Sequence, residues 1–165
     1  MTNQEEERTF FKGLKRFLYM SVIRPAFKIY WFLRRPKTKG TRVVVQCGDE
    51  VLFVQLGYAG KGWTFPGGGV GRHESFKEGA LRELREEVGI NAHEAEFFLE
   101  YTNRHDYKRD TVQCFIVRSP TKEIRIDGFE IINAVWALPA SMPDGIRPGA
   151  KQILSKYNEW QRNHA

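Results

Sequence analysis

The chain has 165 residues, enough for one domain with a substantial core. Its 41% hydrophobic and 28% charged residues are ordinary for a soluble globular protein, and its formal net charge is +6. The two cysteines, Cys47 and Cys114, lie in apolar runs without metal-ligand spacing. This composition argues against a disulfide scaffold or a zinc site, and favours reduced core cysteines in a cytoplasmic protein.

The positive charge is concentrated near the N-terminus. Residues 10–42 contain ten basic and no acidic residues, whereas the rest of the chain carries 16 basic against 20 acidic residues. The overall charge therefore does not predict nucleic-acid binding by the whole surface, and we expect no specific nucleic-acid binding. We divide the chain into an N-terminal basic amphipathic helical segment, residues 1–40, and a second domain, residues 41–165.

The N-terminal segment has helical periodicity. Phe10, Leu14 and Val22 recur at helical spacing, and Pro25 predicts a break or kink. Charges interrupt every apolar window, which argues against a transmembrane helix or a cleaved signal peptide. Two interpretations stay open for residues 10–42. The segment is a basic anchor on an anionic membrane surface, peripheral on its inner face, or an extension packed on its own domain or on a second subunit of a homodimer.

From residue 41 the pattern becomes that of a mixed α and β domain. Two β-branched runs joined by Gly48-Asp49 predict a hairpin. Further strands flank a central helix, and a second helix closes the chain, which indicates an α+β class. In order, the predicted elements are "TRVVVQC", "EVLFVQL", "WTF", the central helix, "AEFFLEY", a polar loop "TNRHDYKR", "DTVQCFIVR", "EIRI", "EIINAVWAL" and the helix "GAKQILSKYNEWQR".

The central helix has defined ends and two distinct faces. Ser75 followed by Glu78 is a capping box, and Gly89 is typical of a left-handed residue that ends a helix. Helical geometry places an apolar arc beside an arc of carboxylates. The apolar arc contains Ala80, Leu81, Leu84 and Val88, and the carboxylate arc contains Glu83, Glu86 and Glu87.

Three carboxylates at the edge of a buried face favour a hard divalent cation, Mg²⁺ or alternatively Mn²⁺. Such a cation would cancel their repulsion, bind diphosphate oxygens and activate water. The glycines at positions 67–69, just before the helix, allow the backbone to approach a metal or phosphate closely.

The pattern from Gly68 to Ile90 resembles the Nudix box. Gly68, five residues, Glu74, seven residues and then "RELREEVGI" match every fixed position of that motif. The resemblance extends more loosely over residues 42–138. It implies a Nudix-type α/β/α sandwich with a mixed β-sheet, in addition to the N-terminal basic amphipathic helical extension. It also implies metal-dependent hydrolysis of a diphosphate linked to another group.

The resemblance also implies the roles of individual residues. The metal ligands would be Glu83, Glu86, Glu87 and the backbone carbonyl of Gly67. Arg82 and Glu74 resemble the pair that orients this cluster. The general base stays open between Glu130, outside the box, and Glu86, inside it.

Four positions depart from the family's usual pattern, Gly71 and His73 between Gly68 and Ile90 and two others outside that stretch, and the loops leave the substrate open. Gln55 stands where relatives often have arginine, and Asn133 replaces a frequent glutamate. An aromatic ring could stack on a base and cations could hold phosphates, although loop residues of this kind are also commonly just solvated. The candidate substrate contacts are Tyr58, Lys61, Tyr107 and Arg109.

Three functions follow as hypotheses. The favoured one is a cytoplasmic Mg²⁺-dependent Nudix pyrophosphohydrolase that cleaves a phosphoanhydride bond in a nucleoside diphosphate linked to another moiety. That substrate would be a nucleotide sugar, an ADP-ribose-like compound or a dinucleoside polyphosphate. The alternatives are the same chemistry on CDP-alcohols or lipid-linked nucleotides at a membrane surface, and a catalytically idle nucleotide-binding regulatory module.

Overall fold

A computed structural model describes residues 37–58, 60, 62–105, 108–126 and 128–164, without the side chains of residues 37 and 103–108. Contacts within the chain group its residues into two compact units. The unit of residues 38–103 and 110–165 is described below; of the other, residues 1–37 and 104–109, only strand ends are described. The predicted N-terminal helix lies outside the described residues, so its membrane or subunit contacts and the proposed domain boundary stay predictions.

Strands and helices follow one another in the predicted order. None of the described helices is long and apolar enough to span a membrane. The strands are β1 (Lys37–Cys47), β2 (Glu50–Leu56), β3 (Trp63–Thr64), β4 (Glu96–His105), β5 (Lys108–Arg118) and β6 (Ile131–Ala137), and the helices are α1 (Phe76–Val88) and α2 (Pro148–His164), with a short 3-10 turn at Pro139–Ser141.

The six described strands form one sheet in the order β3-β2-β1-β5-β4, and β6 also pairs with β2. β2 is antiparallel to β1, β3 and β6. β1 and β5 run parallel, because contacts join their corresponding ends. Thr38 Oγ1 donates to Asp110 Oδ1 at 2.7 Å near the beginning of both strands, and Ser119 N donates to Gln46 O at 2.8 Å near their end. The predicted mixed sheet is therefore confirmed.

β1 and β2 pair beside their turn and then separate. The chain from β3 to Gly69 fills the space between them. Thr64 pairs with Val54 of β2, whereas Val43 N of β1 donates to Pro66 O and Thr41 N donates to Gly68 O, each at 2.9 Å. This arrangement holds the glycine segment, residues 67–69, against β1.

Each face of the sheet has its own apolar core. On one face Val43, Leu52 and Val54 pack with Ala80, Leu84 and Val88 of α1. On the other face Val44, Val51 and Phe53 pack with Ala150, Ile153 and Tyr157 of α2. The alternation along the strands sends successive side chains to opposite faces. The predicted α/β/α sandwich is confirmed.

Two local predictions were wrong. The described residues of the stretch "TNRHDYKR" belong to strands rather than to a loop, because β4 continues to His105 and β5 begins at Lys108. The stretch "EIRI" forms no strand: Ile124 packs on the α1 core, and Arg125 N donates to Val88 O at 2.9 Å. This segment therefore satisfies a carbonyl at the end of α1 instead of pairing with a strand.

Candidate active site

The ends of α1 are fixed by local hydrogen bonds. Ser75 Oγ accepts from Glu78 N at 3.2 Å, and a Glu78 carboxylate oxygen accepts from Ser75 N at 2.8 Å. Gly89 ends the helix with φ 72°. The capping box and the glycine cap are both as predicted. Both ends of α1 are therefore held by contacts that do not involve its carboxylate arc.

The three carboxylates of the predicted cluster differ in burial. Glu83 and Glu87 are 8% and 4% exposed, whereas the side chain of Glu86 is 54% exposed. Gly67 N donates to Glu87 Oε2 at 2.8 Å, which ties the buried carboxylate to the glycine segment. Two acidic side chains therefore lie under the glycines and one lies at the surface.

The glycine segment approaches its neighbours more closely than any side chain would allow. Gly67 has φ 128°, and a Cβ atom there would overlap the Thr41 carbonyl oxygen. A Cβ atom on Gly68 would lie 2.7 Å from the Glu83 carboxylate. Glycine is therefore required at Gly67, whereas a side chain at Gly68 would displace the carboxylate of Glu83.

Arg82 connects the loop before α1 to the carboxylates on it. Its Nε donates to Glu74 Oε1 at 2.7 Å, and its Nη2 donates to Gly69 O at 2.8 Å. Its Nη1 donates to Glu83 Oε1 at 2.9 Å and to Glu86 Oε2 at 3.0 Å. The hydrogen bond to Glu74, and then those to Glu83 and Glu86, raise the pKa of Arg82. The same bond from Arg82 lowers the pKa of Glu74.

Arg42 contacts the glycine segment, and the sequence did not predict this contact. Its Nη1 donates to the carbonyl oxygens of Gly67 and, at 3.0 Å, of Thr41. In the sequence Arg42 was only the last of ten basic residues. Its role depends on β1 lying beside the glycine segment, a contact between residues far apart in the chain that no local spacing indicates.

Among the described carboxylates, Glu87 has the most strongly shifted pKa. Burial raises the pKa of Glu87 to about 7, against the lowering effect of the Gly67 N–H. The nearby charges of Glu83 and Glu130 raise it further, and that of Arg42 lowers it. A bound cation would stabilise the ionised form of this buried carboxylate.

The location of Glu130 supports its candidacy as a base. Its charge acts on Glu87, and its backbone oxygen accepts from Gly57 N at 2.8 Å. Its side chain is exposed, so solvent can reach it. Glu86 is also exposed, and the choice between the two bases stays a prediction.

The donor chemistry fits a hard cation. Carboxylate oxygens of Glu83, Glu86 and Glu87 are combined with the backbone oxygen of Gly67, and no sulfur or nitrogen ligand is among them. In the described part of the chain, no three acidic, histidine or cysteine side chains already converge as a ready metal cluster. Hydrogen bonds from Arg82 and Gly67 N currently hold the carboxylates, and these bonds would have to be shared or exchanged when a cation binds.

The structure describes two of the four candidate substrate residues. Tyr58 is half-buried and packs on the α1 core, and Arg109 is exposed on β5. Lys61 and Tyr107 lie outside the described residues. Two of the departures from the family pattern, Gln55 and Asn133, are register partners on β2 and β6.

Comparisons with known proteins identify the family to which this fold belongs. The family model of the NUDIX domain matches residues 36–157. A MutT NUDIX hydrolase from Burkholderia pseudomallei has TM-score 0.66 and 17% identity, over 73% of this chain and 98% of that one. A Caenorhabditis elegans Ap4A hydrolase in a binary complex has TM-score 0.64 and 20% identity, over 76% and 98%. The NUDIX domain of Shewanella oneidensis NrtR complexed with ADP ribose has TM-score 0.66 and 19% identity, over 76% and 89%.

A search of curated protein sequences finds no match. The structural likenesses establish the fold, and the family model covers most of the chain. The fold and the carboxylate helix define the class of Nudix-type hydrolases of phosphoanhydrides. The chain belongs to the Nudix family.

Proposed function

We propose that the protein is a Mg²⁺-dependent pyrophosphohydrolase that cleaves a phosphoanhydride bond in a nucleoside diphosphate linked to another moiety. The observation that carries this proposal is the placement of two buried carboxylates, Glu83 and Glu87, directly under the glycine segment. Arg82 offsets part of this charge at Glu83, but burying both carboxylates stays costly without a further cation. It lies beside backbone groups that a diphosphate could approach.

The protein's own residues divide the work. Glu83, Glu86, Glu87 and the Gly67 carbonyl would hold Mg²⁺, or alternatively Mn²⁺. A bound cation supplies neutralisation of phosphate charge and a more acidic water. Arg82 donates hydrogen bonds to Glu74, Glu83 and Glu86. These bonds limit how far the carboxylate oxygens can move.

A general base outside the metal ligands completes the proposal. Glu130 is exposed and close enough for its charge to act on Glu87. It would accept the proton of the attacking water, with Glu86 as the alternative. The substrate class is supported by the names of two structural neighbours, an Ap4A hydrolase and a domain bound to ADP ribose. Tyr58 and Arg109, with Lys61 and Tyr107, stay candidate contacts.

The test is hydrolysis of a nucleotide panel with Mg²⁺ or Mn²⁺, with products identified by mass. The panel contains ADP-ribose, nucleotide sugars, dinucleoside polyphosphates, CDP-alcohols and nucleoside triphosphates. We expect metal-dependent release of a nucleoside monophosphate from at least one diphosphate-linked compound, and its loss in Glu87→Gln. A blank across the panel with both metals would favour the catalytically idle nucleotide-binding module, and turnover confined to CDP-alcohols would favour the membrane-surface alternative.

A further inference from the structure

A polar cleft lies at the C-terminal end of α1, beyond the carboxylates on that helix. It has a volume of about 720 Å³ and is lined by the last turn of α1, the end of β5 and the chain after β5. Three arginines contribute to its wall: Arg85, Arg118 and Arg125. The described lining contains one carboxylate, that of Glu123, and no lysine.

The three arginines come from different elements that the fold holds together. Arg85 is in the last turn of α1, and Arg118 ends β5. Arg125 is held at the helix end, where its N–H donates to Val88 O at 2.9 Å and its Cβ would lie 3.1 Å from a Cβ on Gly89. The glycine cap of α1 therefore makes room for Arg125.

Internal partners account for only part of this charge. Arg118 donates to Glu96 at 3.1 Å, and its guanidinium lies 5.8 Å from the centroid of the Trp160 ring of α2. The side chains of Arg118 and Glu96 are 63% and 45% exposed, so this ion pair is weak and open to competition. The partial negative charge of the helix end favours Arg85 in the last turn. Within the described ranges, the guanidinium groups of Arg85 and Arg125 have no carboxylate within ion-pair distance.

The chemistry of the wall selects its ligand. Planar guanidinium groups donate paired N–H bonds that match phosphate oxygens, and several of them around one cleft favour an anion of more than one charge. Ser119 and Thr121, which also line the cleft, add hydroxyl groups. We propose that this arginine cleft binds a small phosphate-bearing anion, at a site separate from the carboxylate face of α1.

The test measures binding to the full-length protein without metal. With EDTA present, the carboxylates of Glu83 and Glu87 should repel rather than bind such an anion, so the cleft is measured by itself. Inorganic diphosphate and adenosine monophosphate are the probes, with binding followed by calorimetry and by backbone amide chemical shifts. We expect shifts at Asn91, Ala92, Ser119 and Thr121.

Substitution of the arginines gives the decisive comparison. Arg125→Gln should weaken diphosphate binding about tenfold, and Arg85→Gln with Arg125→Gln should abolish it. Arg162→Gln, on the exposed end of α2, removes the same charge elsewhere and should leave the affinity unchanged. Circular dichroism checks that each variant is folded, and hydrolysis of nucleotides should be unaffected by the cleft variants.

The outcomes separate the sources of the phosphate. Tighter binding of diphosphate than of the monophosphate indicates a free diphosphate ligand, and the reverse indicates a nucleotide; both support the cleft. Unchanged affinity in the double variant overturns the proposal, as do shifts confined to residues 10–42 or to the glycine segment. Because neither metal nor turnover is needed, a failure here is distinct from a failure of the proposed hydrolysis.

Discussion

The guanidinium group of Arg42 donates a hydrogen bond to the backbone oxygen of Gly67, the oxygen that the Nudix resemblance assigns to the metal. One cationic side chain therefore lies where a divalent cation is expected to bind. The two positive charges would either share this oxygen or compete for it. Their charges repel, and Arg42 also acts on the buried Glu87.

The first prediction concerns Arg42. Arg42→Gln removes the competing charge and should tighten Mn²⁺ binding roughly tenfold, because the metal no longer faces a neighbouring cation. Electron paramagnetic resonance of free Mn²⁺ measures this affinity directly. The exposed Arg162→Gln serves as a charge-matched control. Weaker binding in Arg42→Gln would mean instead that Arg42 holds the Gly67 carbonyl in position for the metal.

The second prediction follows from the buried Glu87. Its folded-state pKa of about 7 exceeds the ordinary glutamate value of 4.5, so the native state binds more protons than the unfolded state between these pH values. The metal-free protein should therefore lose stability as the pH rises from about 4.5 to 7, by at most about 3 kcal/mol. Above that range the loss should be constant.

Urea unfolding in EDTA at several pH values measures this loss. Glu87→Gln cannot ionise, so its free energy of unfolding should vary less over the same range. Addition of Mg²⁺ at pH 8 should restore the stability that the unsubstituted protein loses as the pH rises. If the two proteins show parallel pH dependence, Glu87 is not the group that titrates.

The third prediction tests the close approach of the glycine segment. Gly67→Ala should destabilise the protein by about 2 kcal/mol or more, because the backbone conformation is strained for alanine and Cβ would overlap the Thr41 oxygen. Gly68→Ala should displace the Glu83 carboxylate and reduce metal-dependent hydrolysis. Gly69→Ala is the matched control, since a Cβ there meets nothing within 4 Å. Thermal unfolding and activity should separate the three variants.

The fourth prediction distinguishes the two candidate bases. If Glu130 accepts the proton, Glu130→Gln should reduce kcat about 10²- to 10⁴-fold and remove the acidic limb of the pH profile, with metal affinity unchanged. Glu86→Gln should chiefly weaken metal binding. Glu100→Gln, an exposed change on β4, should alter neither property. A full pH profile and unchanged kcat in Glu130→Gln would transfer the role to Glu86.

The sequence predicted those features that depend on neighbouring residues. The capping box at Ser75, the glycine cap at Gly89 and the apolar arc of α1 all follow from local spacing, and each is present. Most strands were found because apolar residues recur along them. The mixed sheet and its two covering helices followed from the order of elements and from the family resemblance.

The remaining features depend on contacts between distant parts of the chain. Arg42 reaches Gly67 only because the glycine segment fills the space between β1 and β2. The stretch "EIRI" alternates like a strand, yet its backbone satisfies the end of α1. The arginine cleft brings together three elements whose arginines are not grouped in the sequence. Local patterns carry no information about such contacts.

The glycine segment also couples folding to the assembly of the site. Thr41 and Val43 have their amide protons bonded to the oxygens of Gly68 and Pro66, so part of the central sheet is completed by the same backbone that presents Gly67. These amides should exchange with solvent only when the sheet itself opens. The geometry around Glu83 and Glu87 is thus tied to β1 of the central sheet, rather than to a loop that could change shape independently.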